Sequence, residues 1–137
     1  MILLDTNALI GLAEGARFRL EAQAAITAAI GQNDFCVSAT AAWEVGLLPT
    51  RTGRTSLRFG GDARRWFNTT VARLGLRLVP FDAEMALEAA YLPAGCPNDP
   101  ADRWMVAAAR VLGATLITSD RAILRYAHQG YLASIKW

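Results

Sequence analysis

The sequence is poor in histidine, lysine and cysteine: its 137 residues include one His (His128), one Lys (Lys136) and two Cys (Cys36 and Cys96). Two cysteines are too few for a disulfide framework or a four-ligand zinc site, so we expect each to be a small buried hydrophobe. His128 falls near the end of a predicted helix, where we expect it to be exposed or structural rather than catalytic.

Long apolar runs are lacking as well, because charged side chains interrupt each run before it reaches the roughly 18 to 20 residues of a membrane span. The amino terminus, Met-Ile-Leu-Leu-Asp, has no basic segment like that of a secretory signal. We therefore expect no membrane segment and a cytoplasmic location. With 53% hydrophobic and 19% charged residues, and only 11 Gly and 5 Pro, the composition indicates one globular domain rather than a disordered or fibrous chain.

The net charge is also small, +2, and does not by itself indicate a nucleic-acid partner. Arginine supplies all but one of the 14 basic residues, and a short stretch whose only acid is Asp62 contains five of them: Arg51, Arg54, Arg58, Arg64 and Arg65. Because Phe59 and Trp66 lie among them, the stretch fits a surface that tracks the backbone and stacks the bases of single-stranded RNA. It fits equally well an ordinary solvated loop followed by a helix with core aromatic residues.

Short apolar runs predict buried strands at residues 2–4, 35–37, 76–79 and 115–118, with a fifth at 132–135. Apolar residues three and four apart predict helices between them, and the clearest begins at Pro100 behind a capping Asp99 and ends at Gly113. Residues 50–61 lack periodicity and are predicted to form an exposed loop. The alternation indicates an α/β fold: one domain over residues 1–137, with a mainly parallel central sheet of four to five short strands flanked by helices.

Four carboxylates fall at one predicted edge of this sheet: Asp5, Glu44, Asp102 and Asp120. Ligands of parallel sheets bind beyond the carboxyl ends of the strands. Neighbouring carboxylates repel each other, by roughly 4 kcal/mol for a pair about 4 Å apart at an effective dielectric constant near 20. A divalent cation would relieve this repulsion, and oxygen ligands suit magnesium and manganese better than zinc.

Each acid also has a purely structural interpretation. Asp5 and Asp120 are placed to cap the helices that follow them, and Asp99 with Asp102 matches a capping arrangement at the start of the next helix. Glu44 has no capping role, because it lies well inside its helix, but it could simply face solvent.

Four blocks of sequence resemble, in order, the signature blocks of the PIN domain: LLDTNALI, TAAWEVGLL, NDPADRWMVAAAR and LITSDRAIL. They span nearly the whole chain, and their arrangement resembles VapC-type toxins of bacterial toxin-antitoxin pairs. The resemblance implies a metal-dependent ribonuclease that a small VapB-type antitoxin inhibits. It implies that the magnesium site consists of Asp5, Glu44, Asp102 and Asp120, and that ligands or water are oriented by Thr6, Asn7 and Ser119.

The reaction expected from this site is hydrolysis of an RNA phosphodiester by metal-activated water, with Mg²⁺ as cofactor and Mn²⁺ able to replace it. Asp5, Asp102 and Asp120 are expected to hold metal directly. Glu44 either binds a second ion or positions the attacking water.

Other roles stay open at this point. Asp99 is either a helix cap, which the proline after it favours, or a ligand of a second ion or water. Arg103 and Arg121 contact RNA phosphate or a site acid, or are merely solvated. The resemblance also implies a homodimer, for which Tyr91 and Leu92 are candidate contacts.

Two other classes of protein with an acid after the first strand lack their key residues here. A receiver-type signalling module needs paired acids at that strand and a lysine after a later one, but Asp5 is followed by Thr6 and Asn7. A phosphatase with an aspartyl nucleophile usually has a second acid where Asn7 stands. The remaining alternative is a noncatalytic PIN-like module that binds RNA or protein, which metal-dependent cleavage would exclude.

Overall fold

Five short strands form the central sheet in the computed structural model, which describes residues 1–48 and 62–137. In chain order they are β1 (Ile2–Leu4), β2 (Phe35–Ser38), β3 (Arg77–Val79), β4 (Thr115–Thr118) and β5 (Ser134–Lys136). Their order across the sheet is β3-β2-β1-β4-β5, so β1 lies in the middle between β2 and β4. Every strand pair is parallel, which confirms the predicted α/β fold.

Seven helices flank the sheet within the described residues: α1 (Thr6–Ala13), α2 (Leu20–Gly31), α3 (Ala39–Leu47), α4 (Ala63–Leu74), α5 (Ala83–Tyr91), α6 (Pro100–Val111) and α7 (Arg121–Ala127). Apart from α2, each begins behind a side chain that accepts a hydrogen bond from an amide of its first turn. These caps fix the point at which the chain turns from strand or loop into helix. Helix α4 ends at Gly75, whose φ of 62° is the left-handed conformation common after a helix.

The core is built around the two central strands. Leu3 and Leu4 of β1 and Leu116 and Ile117 of β4 are completely shielded from solvent. Burial of each such side chain contributes roughly 1.5 to 3 kcal/mol to folding. Since β1 and β4 are paired neighbours, the residues that follow them are held side by side at one edge of the sheet.

Some details differ from the sequence-based expectation. Strand β3 begins one residue later than predicted, and β5 is Ser134–Lys136 rather than 132–135, because pairing with β4 rather than an apolar run sets its bounds. Leu92, a candidate dimer contact, is 8% exposed and packs in the core, so that expectation is wrong, whereas Tyr91 is 80% exposed. The predicted loop at 50–61 lies outside the described residues.

Several side chains lie where the structural interpretation puts them. Cys36 and Cys96 are buried free thiols, as expected. His128 is exposed at the end of α7. Phe67 is buried and Trp66 packs partly buried against the core, which favours the core interpretation of this aromatic pair. Among the described helices, none has both the length and the apolar character needed to cross a membrane.

Candidate functional site

The carboxyl ends of the central strands bring the predicted acids together. Asp5 directly follows β1, and Asp120 lies two residues beyond β4. Glu44 comes from α3 and Asp102 from the first turn of α6. These four acids line one small pocket of about 40 Å³, together with Thr6, Asn7, Ala101, Met105 and Ile123.

Asp5 and Asp120 each use one carboxylate oxygen as a helix cap. Asp5 Oδ1 accepts a hydrogen bond from the Ala8 amide at 2.5 Å. Asp120 Oδ1 accepts from the amides of Ala122 and Ile123 at 2.7 and 2.9 Å. Both acids therefore begin a helix and line the pocket, which is possible because a carboxylate has two oxygens that accept hydrogen bonds.

Glu44 is tied to the start of α1. The Thr6 hydroxyl donates a hydrogen bond to Glu44 Oε2, and both residues line the pocket. Thr6 is buried and Glu44 is half-buried. The interpretation in which Glu44 simply faces solvent is therefore wrong: its carboxylate is part of the pocket.

Burial raises the pKa of Asp5 from its ordinary 3.8 to about 6, chiefly because the carboxylate is desolvated. A hydrogen bond with the Thr118 side chain and one from the Ala8 amide act in the opposite direction and lower this pKa. The negative charges of Glu44 and Asp120 raise it further. Ionisation of the Asp5 carboxyl group in the folded protein therefore costs free energy.

Asp102 is perturbed in the same direction. Burial is again the largest cause of a pKa raised to about 6, followed by the charges of Asp120, Asp99, Glu44 and Asp5. None of the described residues that line the pocket is basic. The pocket therefore gathers negative charge that its own walls leave uncompensated.

A buried hydroxyl, Thr118, joins the two central acids and was missed in the sequence. Its Oγ1 accepts a hydrogen bond from the Asp120 amide at 3.0 Å, while its side chain hydrogen-bonds to Asp5. The sequence points to Ser119 instead, which is not among the described residues that line the pocket. The only available signal was position, since a hydroxyl at the end of a buried strand needs a polar partner.

Comparison with known proteins gives the family of the chain. The family model described as PIN domain matches residues 2–129. The chain belongs to the PIN domain family. Among curated protein sequences, none matches the chain significantly.

Several solved structures share the fold of this PIN domain, and three of them are described here. VapBC2 from Rickettsia felis, bound to a DNA fragment from its promoter, gives a TM-score of 0.67 at 17% identity, over 100% of this chain and 99% of that one. FitAB bound to an IR36 DNA fragment gives 0.65 at 23% identity, over 99% and 94%. FitAcB from Neisseria gonorrhoeae gives 0.63 at 23% identity, over 98% and 96%.

The donor set of the PIN domain pocket fits a hard divalent cation. Carboxylate oxygens from four separate elements are the ligands that Mg²⁺ and Mn²⁺ prefer. A cation would also relieve the repulsion that helps raise the pKa values of Asp5 and Asp102. Across residues 1–48 and 62–137, no three Asp, Glu, His or Cys side chains are already arranged to hold a metal ion. Oxygens of Asp5, Asp120 and Glu44 instead accept hydrogen bonds from the protein.

The other polar residues predicted for the site differ in whether they line the pocket. Thr6 and Asn7 line the pocket, with Asn7 exposed at its surface. Asp99 lies outside the pocket lining and caps α6, because its Oδ1 accepts from the amides of Ala101 and Asp102 at 2.9 and 3.3 Å. Its charge nevertheless reaches Asp102, whose pKa it raises.

The arginines predicted to bind RNA do not act as one group. Arg103 donates from Nε and Nη2 to the Ala89 carbonyl at 3.1 and 2.6 Å, at the end of α5. Of the roles left open for Arg103, contact with a site acid is therefore not the one found, since its guanidinium links α6 to the end of α5. Arg64 and Arg65 are exposed on α4, and Arg121 is exposed at the start of α7. The other three lie outside the described residues: Arg51, Arg54 and Arg58.

Proposed function

We propose that this chain is a magnesium-dependent endoribonuclease and the toxin component of a type II toxin-antitoxin pair. The observation that carries the proposal is the pocket itself, in which four carboxylates from four elements meet and no described lining residue is basic. Membership of the PIN domain family supports nuclease activity. The likeness in fold to VapBC2 and FitAB supports the toxin role.

In this proposal Asp5, Asp102 and Asp120 hold the metal, and Glu44 binds a second ion or positions the attacking water. Bound Mg²⁺ supplies an activated water and stabilises negative charge on the phosphate oxygens and the leaving group, and Mn²⁺ replaces it. Thr6 keeps the Glu44 carboxylate in the pocket through its hydrogen bond.

Three polar residues in or next to the pocket orient the reacting groups. The Thr118 hydroxyl fixes Asp5 relative to the chain after β4. Asn7, exposed at the pocket surface, presents an amide to RNA or water. Ser119, which adjoins Asp120, has the same orienting role in the proposal.

A small VapB-type antitoxin is the proposed inhibitor in the cytoplasm. The similar structures are described as VapBC2 and FitAB complexes with DNA fragments. A partner arginine suits the pocket, because its planar fork matches a pair of carboxylates and would compete with a cation. We also propose a homodimer, for which α5 offers Leu87 and Tyr91, 60% and 80% exposed.

A noncatalytic PIN-like module is the second candidate. One observation favours it: within the described residues, no three potential ligand side chains are already arranged around a common point. In that case the acids would serve mainly as helix caps and as contacts for a basic partner. Metal-dependent cleavage separates the two candidates.

Cleavage should be measured on a panel of single-stranded and loop-containing RNAs after any copurified antitoxin has been removed. We expect cleavage with Mg²⁺ or Mn²⁺ and none with EDTA. Asp102→Asn, purified in parallel, controls for contaminating ribonuclease. Cleavage that persists in EDTA or in Asp102→Asn, or its absence on the whole panel, would contradict the nuclease proposal.

The partner and the dimer are tested separately. Coexpression with the antitoxin encoded beside the gene should yield a stable complex, and added antitoxin should suppress cleavage. A partner that binds tightly without reducing cleavage contradicts the inhibitory role. A monomer at micromolar concentration, measured by light scattering, contradicts the homodimer.

A further inference from the structure

Three aromatic side chains, here called the aromatic cluster, pack together: Trp43 of α3, Trp104 of α6 and Phe81 between β3 and α5. The rings of Trp43 and Trp104 meet edge to face, with centroids 5.4 Å apart and planes at 64°. Phe81 contacts Trp104 from another side, at 5.3 Å and 45°. The cluster thus ties together three separate elements.

The topology puts the aromatic cluster at the same edge of the sheet as the acids. All strands are parallel, so the segments that follow β2 and β3 leave the sheet at its carboxyl edge. The N-terminus of α6, which precedes β4, lies at the same edge. Trp43 immediately precedes Glu44 in α3. Trp104 is two residues after Asp102 in α6, a rise of about 3 Å along the helix, so the two side chains leave the same turn on different sides of it. Each tryptophan is therefore within a few residues of a pocket acid on its own helix.

Trp43 is held in place and is still largely exposed. It is 48% exposed, whereas Trp104, which it contacts, and Phe81, which contacts Trp104, are half-buried. Among the described residues Trp43 makes this one ring contact, and because the residue is 48% exposed we infer that its indole keeps area on which a flat ligand can stack. Because packing against Trp104 already restricts the ring, little further freedom is lost when a flat ligand stacks on it.

A nucleobase fits this ring better than a protein segment does. A separate apolar groove of about 320 Å³ between α3 and α4 includes Ala42, Gly46, Phe67 and Leu78, and Trp43 does not line it. Trp43 is a single exposed ring on the helix that carries Glu44. A partner helix would need an apolar groove, and Trp43 is not a wall of the one described. Base stacking needs only one exposed aromatic ring.

We propose that Trp43, supported by Trp104 and Phe81, stacks an unpaired RNA base next to the scissile phosphate, an inference that rests on the proposed nuclease function. Stacking tolerates any base, since every base has a π-face, but it needs a base free of pairing. The single-stranded and loop-containing RNAs of the proposed nuclease function supply such a base.

The test combines protein variants with substrates that carry one abasic nucleotide, moved step by step along a single-stranded RNA. Binding is measured by fluorescence anisotropy in an Asp102→Asn background, and cleavage in the otherwise native protein. We expect Trp43→Ala to weaken binding and raise KM by roughly tenfold, with little change in kcat, while Trp43→Phe keeps most of the affinity. Leu20→Ala, which truncates an apolar side chain that is 84% exposed on α2, is the matched control and should have no effect.

At one abasic position, the native protein should lose as much RNA affinity as Trp43→Ala loses on intact RNA. The same abasic position should not weaken binding by Trp43→Ala any further. Additive losses, or unchanged RNA affinity in Trp43→Ala, overturn the proposal, even if that variant loses affinity for a protein partner. Should Trp43→Ala fail to fold, Trp43→Leu fills the space without a π-face and the same comparison is made with it. If the native protein binds RNA with this coupling but never cleaves it, the nuclease proposal fails and the stacking stands. If it cleaves without the coupling, the stacking alone fails.

Discussion

Replacing Asp5 with Asn should stabilise the metal-free protein, because it removes a charge that the fold buries. Asp5 is 6% exposed, and its pKa is raised from 3.8 to about 6, mainly by desolvation. A shift of that size corresponds to a loss of about 3 kcal/mol in the free energy of unfolding once the carboxylate is ionised. Asn is as good a helix cap as Asp, so the hydrogen bond from the Ala8 amide survives the change.

The pH dependence identifies charge as the cause. Since the folded-state pKa of Asp5 lies above its unfolded value, the folded protein binds more protons between about pH 4 and pH 6, and stability falls as pH rises through that window. Asn does not titrate and escapes this loss. The advantage of Asp5→Asn should be near zero at about pH 3.5 and reach about 3 kcal/mol at about pH 7.5. Asp102, whose pKa is raised as well, leaves some of the same pH dependence in both proteins.

Urea unfolding followed by circular dichroism, in EDTA at both pH values, measures the difference. In thermal melts it should appear as a gain of roughly 10 °C near neutral pH. Asp99→Asn, at an exposed helix cap outside the pocket, is the control and should change stability little. Excess Mg²⁺ should stabilise the native protein more than Asp5→Asn, because only the native folded state has the complete set of carboxylates that bind the ion. The reasoning fails if Asp5→Asn is no more stable than the native protein near neutral pH, or gains equally at low pH.

Two further pairs of substitutions test the site and the packing. Asp102→Asn should reduce cleavage at least a hundredfold and abolish most of the Mg²⁺-induced rise in Tm. Asp99→Asn should keep most of the cleavage activity and most of the rise in Tm. If the two variants lost equally, Asp102 would not be a metal ligand. Gly11→Ala should cost about 1 to 3 kcal/mol in urea unfolding, because its Cβ would lie 2.7 Å from the Trp137 ring. Gly46→Ala, at a helical position with open space, should instead stabilise by up to about 1 kcal/mol, and a loss there would contradict the packing described.

The acids at the sheet edge were predictable because local patterns fix their place. Three apolar residues between Met1 and Asp5 allow one short strand, and β1 occupies those positions. Asp5 must then leave the sheet at its carboxyl edge. The same logic places Asp120 beyond β4, and parallel pairing of the two strands makes them neighbours.

Contacts between distant helices were not predictable. The bond from Thr6 to Glu44 depends on how α1 packs on α3, and nothing in either local sequence encodes that approach. Arg103 looks like a site residue because it adjoins Asp102, yet its partners are carbonyls at the end of α5. Thr118 lies in a strand that is buried on both faces, so no polar alternation marks it.

The strand order has a consequence for synthesis on the ribosome. β1 is translated before both of its neighbours, and one of them, β4, follows only after β2 and β3 have been made, when Ile2 can pair with Thr115. Pairings between such distant positions form late in folding, because a long loop must close first. A nascent chain that stops short of Asp120 lacks a wall of the acid pocket altogether. Any activity of that pocket therefore arises only after the chain has been translated past Asp120, and an inhibitor already present at that moment can meet the site as it forms.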